Sequence, residues 1–200
     1  MKRFVTAALA ALFWLTPARA ATIVDTGPGT VGLGGYSLNS GQWAAGKFSI
    51  TEPYEVTDAA GWVYVASGSA ASVAIYSDGG TKPGSVLFSA PFASVPAPSE
   101  TGWAEATGLA WDLSPGVYWV ALEVHTGQDL AGSMPYTTGT PLAAYVLGRT
   151  SWTSYDVKAG LRLRGNPANP VPEPATLALV GTGLAWLAAS RRRPRHRQIP

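Results

Sequence analysis

Trp111-Asp112-Leu113-Ser114-Pro115-Gly116-Val117-Tyr118-Trp119-Val120 consists of two short apolar runs joined by Ser-Pro-Gly. Proline fixes its own backbone angle and glycine accepts the conformations other residues avoid, so the pair closes a tight turn. The flanking runs are too short for stable helices and rich in aromatic and β-branched side chains, as strands are. The same punctuation recurs on either side. Candidate strands are Lys47–Ile50, Tyr54–Thr57, Gly61–Ala66, Ser72–Ser77, Val86–Ser89, Gly102–Ala106, Leu109–Leu113, Val117–His125, Ala143–Gly148, Ser154–Lys158 and Leu161–Arg164. No ten-residue stretch between them has a helical apolar period. The expectation is an antiparallel all-β domain. Both faces of Trp62-Val63-Tyr64-Val65 and of Val117-Tyr118-Trp119-Val120 are apolar, as in the middle of two packed sheets or beneath a covering loop. Uneven strand and loop lengths favour a β-sandwich of jelly-roll type over a closed barrel.

The two ends of the chain differ from this body. Lys2 and Arg3 precede an apolar run from Phe4 to Leu15, and Ala18-Arg19-Ala20 has the small-x-small form of a cleavage site. Residues 1–20 therefore read as a secretory signal peptide handled by the Sec translocon and signal peptidase. An uncut N-terminal anchor is the alternative, but twelve apolar residues are few for a span. At the other end, Val171-Pro172-Glu173-Pro174 leads into an uncharged run from Ala175 to Ala189, then Arg191, Arg192, Arg193, Arg195 and Arg197. The prolines should keep their tripeptide extended and accessible. As a helix the apolar run reaches only about 22 Å, short of a hydrocarbon core of about 30 Å, so Ser190 and snorkelling arginines must help complete a span over 175–190, or the bilayer must thin. The arginines resist translocation and hold the extreme C-terminus in the cytoplasm, with the body outside.

Removing these ends changes the charge argument. The chain carries 14 basic and 12 acidic residues, with a net charge of +2. Eight of the basic residues lie in the two terminal segments and only Glu173 of the acidic ones does, which leaves six against eleven and a body about five charges negative. No basic stripe remains to neutralise phosphates, so nucleic acid is not an expected partner. The chain has no cysteine, which excludes thiol catalysis, thiolate metal sites and disulfides. About 150 residues suffice for one domain held by packing alone. Residues 21–45 read as a loose leader followed by an edge strand near Tyr36–Leu38, 46–165 as the sandwich, and 166–170 as a Pro- and Asn-rich linker. Residues 171–197 form the tail, with its basic segment over 191–197.

The tail resembles the PEP-CTERM sorting domain of Gram-negative bacteria that make extracellular polysaccharide. The resemblance rests on Pro172-Glu173-Pro174, the short Gly-containing span and Arg191-Arg192-Arg193. It implies recognition by an exosortase, a membrane-embedded cysteine protease, with processing near the tripeptide and passage from the inner membrane to the cell surface or matrix. Pro194 to Pro200 extend beyond the usual arginine stop. A plain membrane anchor is the alternative, and it would need no Pro-Glu-Pro. The body resembles the "choice-of-anchor R" type of exported β-domain through Val73-Ala74-Ile75-Tyr76-Ser77-Asp78-Gly79-Gly80-Thr81-Lys82-Pro83-Gly84-Ser85-Val86-Leu87 and Trp111 to Val120. That resemblance implies the fold class and no activity.

Catalytic signals are sparse. His125 is the only histidine of the body and Glu123 lies two residues before it, on the same face of a strand. A Ser-His-acid set is thus arithmetically available, yet no Gly-x-Ser-x-Gly elbow accompanies it. Glu52, Glu55, Glu100, Glu105 and Glu123 supply carboxylates for glycoside hydrolysis only if two converge. Asp78-Gly79-Gly80 lacks the repeated acids of a calcium loop and reads as a tight turn. We expect no catalytic residue, no metal site and no cofactor. Aromatics are the strongest binding signal, and among them Trp43 and Trp152, in Gly-, Ser- and Thr-rich surroundings, are the candidates for an exposed sugar-stacking pair. The sequence thus predicts an exported, non-enzymatic protein of an extracellular polysaccharide or biofilm matrix. A carbohydrate-binding module and a secreted glycoside hydrolase are the alternatives.

Overall fold

The computed structural model describes residues 20–30, 35–138, 145–147, 151–153 and 158–168. Those residues contain no helix, hence none long and apolar enough to cross a membrane. They form β1 (Ala21–Asp25), β2 (Gly35–Leu38), β3 (Gln42–Ile50), β4 (Tyr54–Ser67), β5 (Ser72–Asp78), β6 (Pro83–Pro91), β7 (Thr101–Leu113), β8 (Gly116–Glu123), β9 (Ala131–Pro135), β10 (Tyr145–Leu147), β11 (Trp152–Thr153) and β12 (Leu161–Pro167). Every pairing is antiparallel, and the strands build two sheets packed as a sandwich.

The first sheet is organised around β4. β7 follows one of its edges from Tyr54 to Tyr64, while β12 and β9 share the other end to end. β1 lies outside β12, and β2 lies outside β9. The second sheet runs β11-β10-β3-β8-β5-β6. Alternation places Val56, Val63 and Val65 of β4, with Leu161 and Leu163 of β12, opposite Val120 and Leu122 of β8 and Val73 and Ile75 of β5. All of these are fully buried and form one core between the sheets. Gly61 faces the same core: a Cβ there would run into Leu122 Cδ1, so a side chain at this position would force Leu122 to shift.

Several boundaries differ from the sequence expectation. Ala21–Asp25, read as a loose leader, is an edge strand paired with Arg162 to Gly165. Asn166 and Pro167, read as linker, remain in β12 opposite Glu55 and Tyr54. Among the described residues the first strand thus begins at Ala21, and the last described residue is Ala168. The reason is the length of β4: its 14 residues offer backbone partners beyond the apolar part of β12, and proline is tolerated at a strand end. Tyr54–Thr57 and Gly61–Ala66 are one strand carrying a register shift between Val56 and Asp58. Gly102–Ala106 and Leu109–Leu113 are likewise one strand, and Gly108, at φ 69°, absorbs the bend between them. Ser154 to Val157, the signal peptide as far as Arg19 and the whole sorting tail lie outside the described residues.

Candidate functional site

The outward face of each sheet carries a polar and aromatic cluster. On the second sheet, Ala45, Ala74 and Ala121 form a fully buried floor of small side chains on β3, β5 and β8. Trp119 and Tyr76 lie on this floor. Trp152 meets Tyr76 edge to face at 5.6 Å although β10, β3 and β8 intervene between their strands. The β10–β11 end of the sheet must therefore turn back over its outward face, which is how a nominally outer surface becomes a second small core.

Glu123 is only 1% exposed at this second core. A buried carboxylate needs partners, and it has two: Tyr76 Oη donates to one oxygen, and His125 Nε2 lies 2.7 Å from the other. Burial and the adjacent Glu123 carboxylate push the Tyr76 phenol far up from its ordinary value. The His125 side chain is 44% exposed, and its ring takes the Trp43 indole edge to face at 4.8 Å. Ser72, opposite Glu123 in register, accepts from Gln128 Nε2 at 2.5 Å, and Gln128 Oε1 accepts from the His125 backbone. The acid–histidine pair foreseen from spacing thus exists, with its nearby serine held by an amide.

Trp43 and Trp152, the candidate sugar-stacking pair, are both half-buried. Trp43 Nε1 donates to Val124 O at 3.1 Å, and Trp152 covers the second core. Small neighbours such as Ala44 and Ala45 do not signal exposure here, since they are what lets adjacent elements approach.

Asp78 closes the same face. Its Oδ1 accepts from Lys47 Nζ at 3.0 Å, Trp119 Nε1 at 3.1 Å and the Gly80 amide at 3.0 Å. Lys47 also donates to Gly80 O at 2.7 Å and sits 5.4 Å from the Trp119 ring centroid. Asp78-Gly79-Gly80 is therefore a clamped turn, and among the described residues no group of three His, Asp or Glu side chains is placed to hold a metal. The Lys47 hydrogen bond first, then that of Trp119, holds the Asp78 carboxyl below the usual range. Asp129 is depressed likewise, because the Ser69 and Ala70 amides both donate to it at 2.9 Å. A depressed carboxylate contributes stability that is complete above the unfolded value, near pH 4, and disappears as pH falls through the folded one. The melting temperature should therefore hold steady down to about pH 4 and drop below it, and Asp129→Asn should make that acid drop smaller in a scan of melting temperature against pH.

On the first sheet the outward cluster is built across three strands. Trp62 of β4 and Trp103 of β7 are direct cross-strand neighbours in edge-to-face contact, with centroids 5.3 Å apart. Arg162 of β12 lies 4.3 Å over the Trp103 ring and forms an ion pair with Glu105. Ala60 separates the Arg162 and Glu105 backbones, and the next row places Arg164, Asp58 and Thr107 side by side. Asp58, Ala60, Glu105, Thr107, Arg162 and Arg164 line a cleft of about 30 Å³. Trp62 Nε1 is buried without a hydrogen-bond partner among the described residues.

The sequence offers Glu105 only as one of five carboxylates, because register is what joins the cluster: Trp62 and Trp103 are far apart in the chain, as are Glu105 and Arg162. A signal was present. Thr101-Gly102-Trp103-Ala104-Glu105-Ala106-Thr107 and Leu161-Arg162-Leu163-Arg164 alternate strictly, which marks strands with one wet face. Of the five candidate hydrolase glutamates, Glu105 lies here and Glu123 on the other sheet. Glu52 accepts from Tyr54 Oη at 2.6 Å, and Glu55 faces Asp112 across the β4–β7 pair.

Of the sorting and processing residues, Ala20 is the first described residue and is exposed, while Ala18, Pro172, Glu173, Pro174, Arg191, Arg192 and Arg193 lie outside the described residues. Their order nevertheless has a counterpart among known proteins. Residues 170–193 match the PEP-CTERM protein-sorting motif. The PEP-CTERM motif implies recognition by an exosortase and membrane-anchored sorting of an exported protein in a Gram-negative cell. No curated protein and no solved structure matches the chain.

Proposed function

We propose that the protein is a non-enzymatic, structural or adhesive component of an extracellular polysaccharide or biofilm matrix. In this reading a signal peptide ending at Ala20 delivers it through the Sec translocon, signal peptidase removes the signal, and exosortase processes the tail near Pro172-Glu173-Pro174. The observation that carries the reading is the PEP-CTERM match at 170–193, joined to a body whose described residues are all sheet and loop. A disulfide-free sandwich with a continuous core suits a durable extracellular building block. Glu123 and Tyr76 are engaged with each other at the second core under Trp152, while the exposed His125 pairs with Glu123 and packs on Trp43.

Fractionation of producing cells tests the proposal. The body should be recovered with the polysaccharide matrix, its loss should weaken cohesion of the matrix, and His125→Gln should leave both properties unchanged. Purified protein should release no reducing ends from the matrix polysaccharide. Matrix hydrolysis that disappears in a folded His125→Gln variant would establish the hydrolase reading instead.

A further inference from the structure

The outward face of the first sheet has a directional composition. Along β4 its outward positions are Tyr64, Trp62, Ala60 and Asp58, so the stripe is about 20 Å long at the usual strand rise. One end is aromatic: Tyr64 is 36% exposed, and the half-buried Trp62 and Trp103 stand beside each other next to it. The other end holds two guanidinium groups and two carboxylates around a cleft of about 30 Å³, enough for one water-sized group. Arg162, lying over Trp103 and paired with Glu105, joins the halves and fixes both in advance of any ligand.

The charges select among occupants. Arg162 and Arg164 are balanced by Glu105 and Asp58, and the whole body is negative, so a polyanion gains no net attraction here. An apolar protein segment would have to strip water from four charged groups. A hydroxyl both donates and accepts, so one hydroxyl can bridge a carboxylate and a guanidinium where a carboxylate ligand would repel Asp58 and Glu105. The C–H face of a sugar ring supplies the apolar partner that the aromatic end needs.

We infer that this stripe is a binding site for an uncharged polysaccharide, with Tyr64, Trp62 and Trp103 stacking on sugar rings and Arg162, Glu105 and Asp58 taking hydroxyls. The inference rests on the reading of the protein as a component of a polysaccharide layer and gives that reading a contact surface. It places the surface on the sheet opposite Trp43 and Trp152.

Affinity electrophoresis of the full-length chain in detergent micelles tests it, with gels containing laminarin, hydroxyethyl cellulose or galactomannan as neutral probes and polygalacturonate as the anionic one. At least one neutral glycan should retard the protein, and polygalacturonate should retard it less. Trp103→Ala should weaken binding about tenfold or more, the scale of losing a central aromatic anchor. Tyr64→Ala and Glu105→Gln should each weaken it several-fold, whereas Trp43→Phe, on the other sheet, should leave it unchanged. If Trp103→Ala does not fold, the exposed Tyr64 position decides. The inference is overturned by no retardation with any neutral glycan, by stronger retardation with polygalacturonate, or by native binding in both aromatic variants. Failure here with the protein still in the matrix removes only the stripe. Glycan binding by a protein that never reaches the matrix removes only the functional reading.

Discussion

Protein recovered from the extracellular matrix will lack every residue beyond the Pro172-Glu173-Pro174 region, while cells without exosortase will keep the intact chain, ending at Pro200, in the membrane fraction. This all-or-none difference follows from the opposed physical roles of the tail. Proline disfavours helix, so in the proposed reading Pro172 and Pro174 keep the tripeptide open to an enzyme. In the proposed reading the five arginines after Ser190 stay on the cytoplasmic side and retain the uncut chain. Glu173→Ala should impair recognition and enrich the uncut form, whereas removing Arg191 to Arg193 should weaken retention without altering the tripeptide. Intact mass spectrometry of matrix protein discriminates these outcomes. A C-terminus at Pro200 on matrix material would mean that the PEP-CTERM motif is not processed in this protein.

Replacing Trp119 by Ala will destabilise the body by about 3–5 kcal/mol, the usual cost of emptying a large aromatic site. A domain of this kind has only about 5–15 kcal/mol in total, so the variant should fold marginally. Trp119 is 1% exposed although it points away from the main core, and its indole donor is what Asp78 Oδ1 accepts. Truncation would thus open a cavity over the alanine floor and remove one of the bonds that hold the Asp78 turn. Val117, two residues earlier on the same face and 38% exposed, should cost under about 0.5 kcal/mol when changed to Ala, because exposed sites rarely matter more. Urea titration measures both. The Trp119→Ala midpoint should fall steeply with an unchanged slope, and equal midpoints for the two variants would show that the second core contributes nothing.

What was legible in the sequence was whatever a single strand records about itself. Leu161-Arg162-Leu163-Arg164 states its own two faces, and the apolar run from Val117 to Val120 announces burial on both sides, which Trp119 and Val120 display. The partner-dependent parts were not legible. β9, Ala131-Gly132-Ser133-Met134-Pro135, has no β-branched or aromatic residue, and it is a strand because β4 and β2 pair with it on either side. Ala21–Asp25 is too short to be distinguished from a leader until β12 is placed next to it. The outward clusters depend on register most of all: no spacing in the chain says that Trp62 lies opposite Trp103, or that the Trp152 end of its sheet will turn back upon Tyr76.

The position of β12 has a mechanical meaning. Any pull transmitted through the C-terminal end of the body enters the fold along this strand, which is paired at seven positions with β4 and at four with β1. Ladder hydrogen bonds lie across the strand axis, so tension along β12 loads both rows in shear, all at once, instead of peeling them one after another. Detachment then requires many bonds to yield together, and resistance becomes a matter of unfolding rate more than of equilibrium stability. A protein tethered at this end would meet traction with two ladders that share the load instead of unzipping in turn.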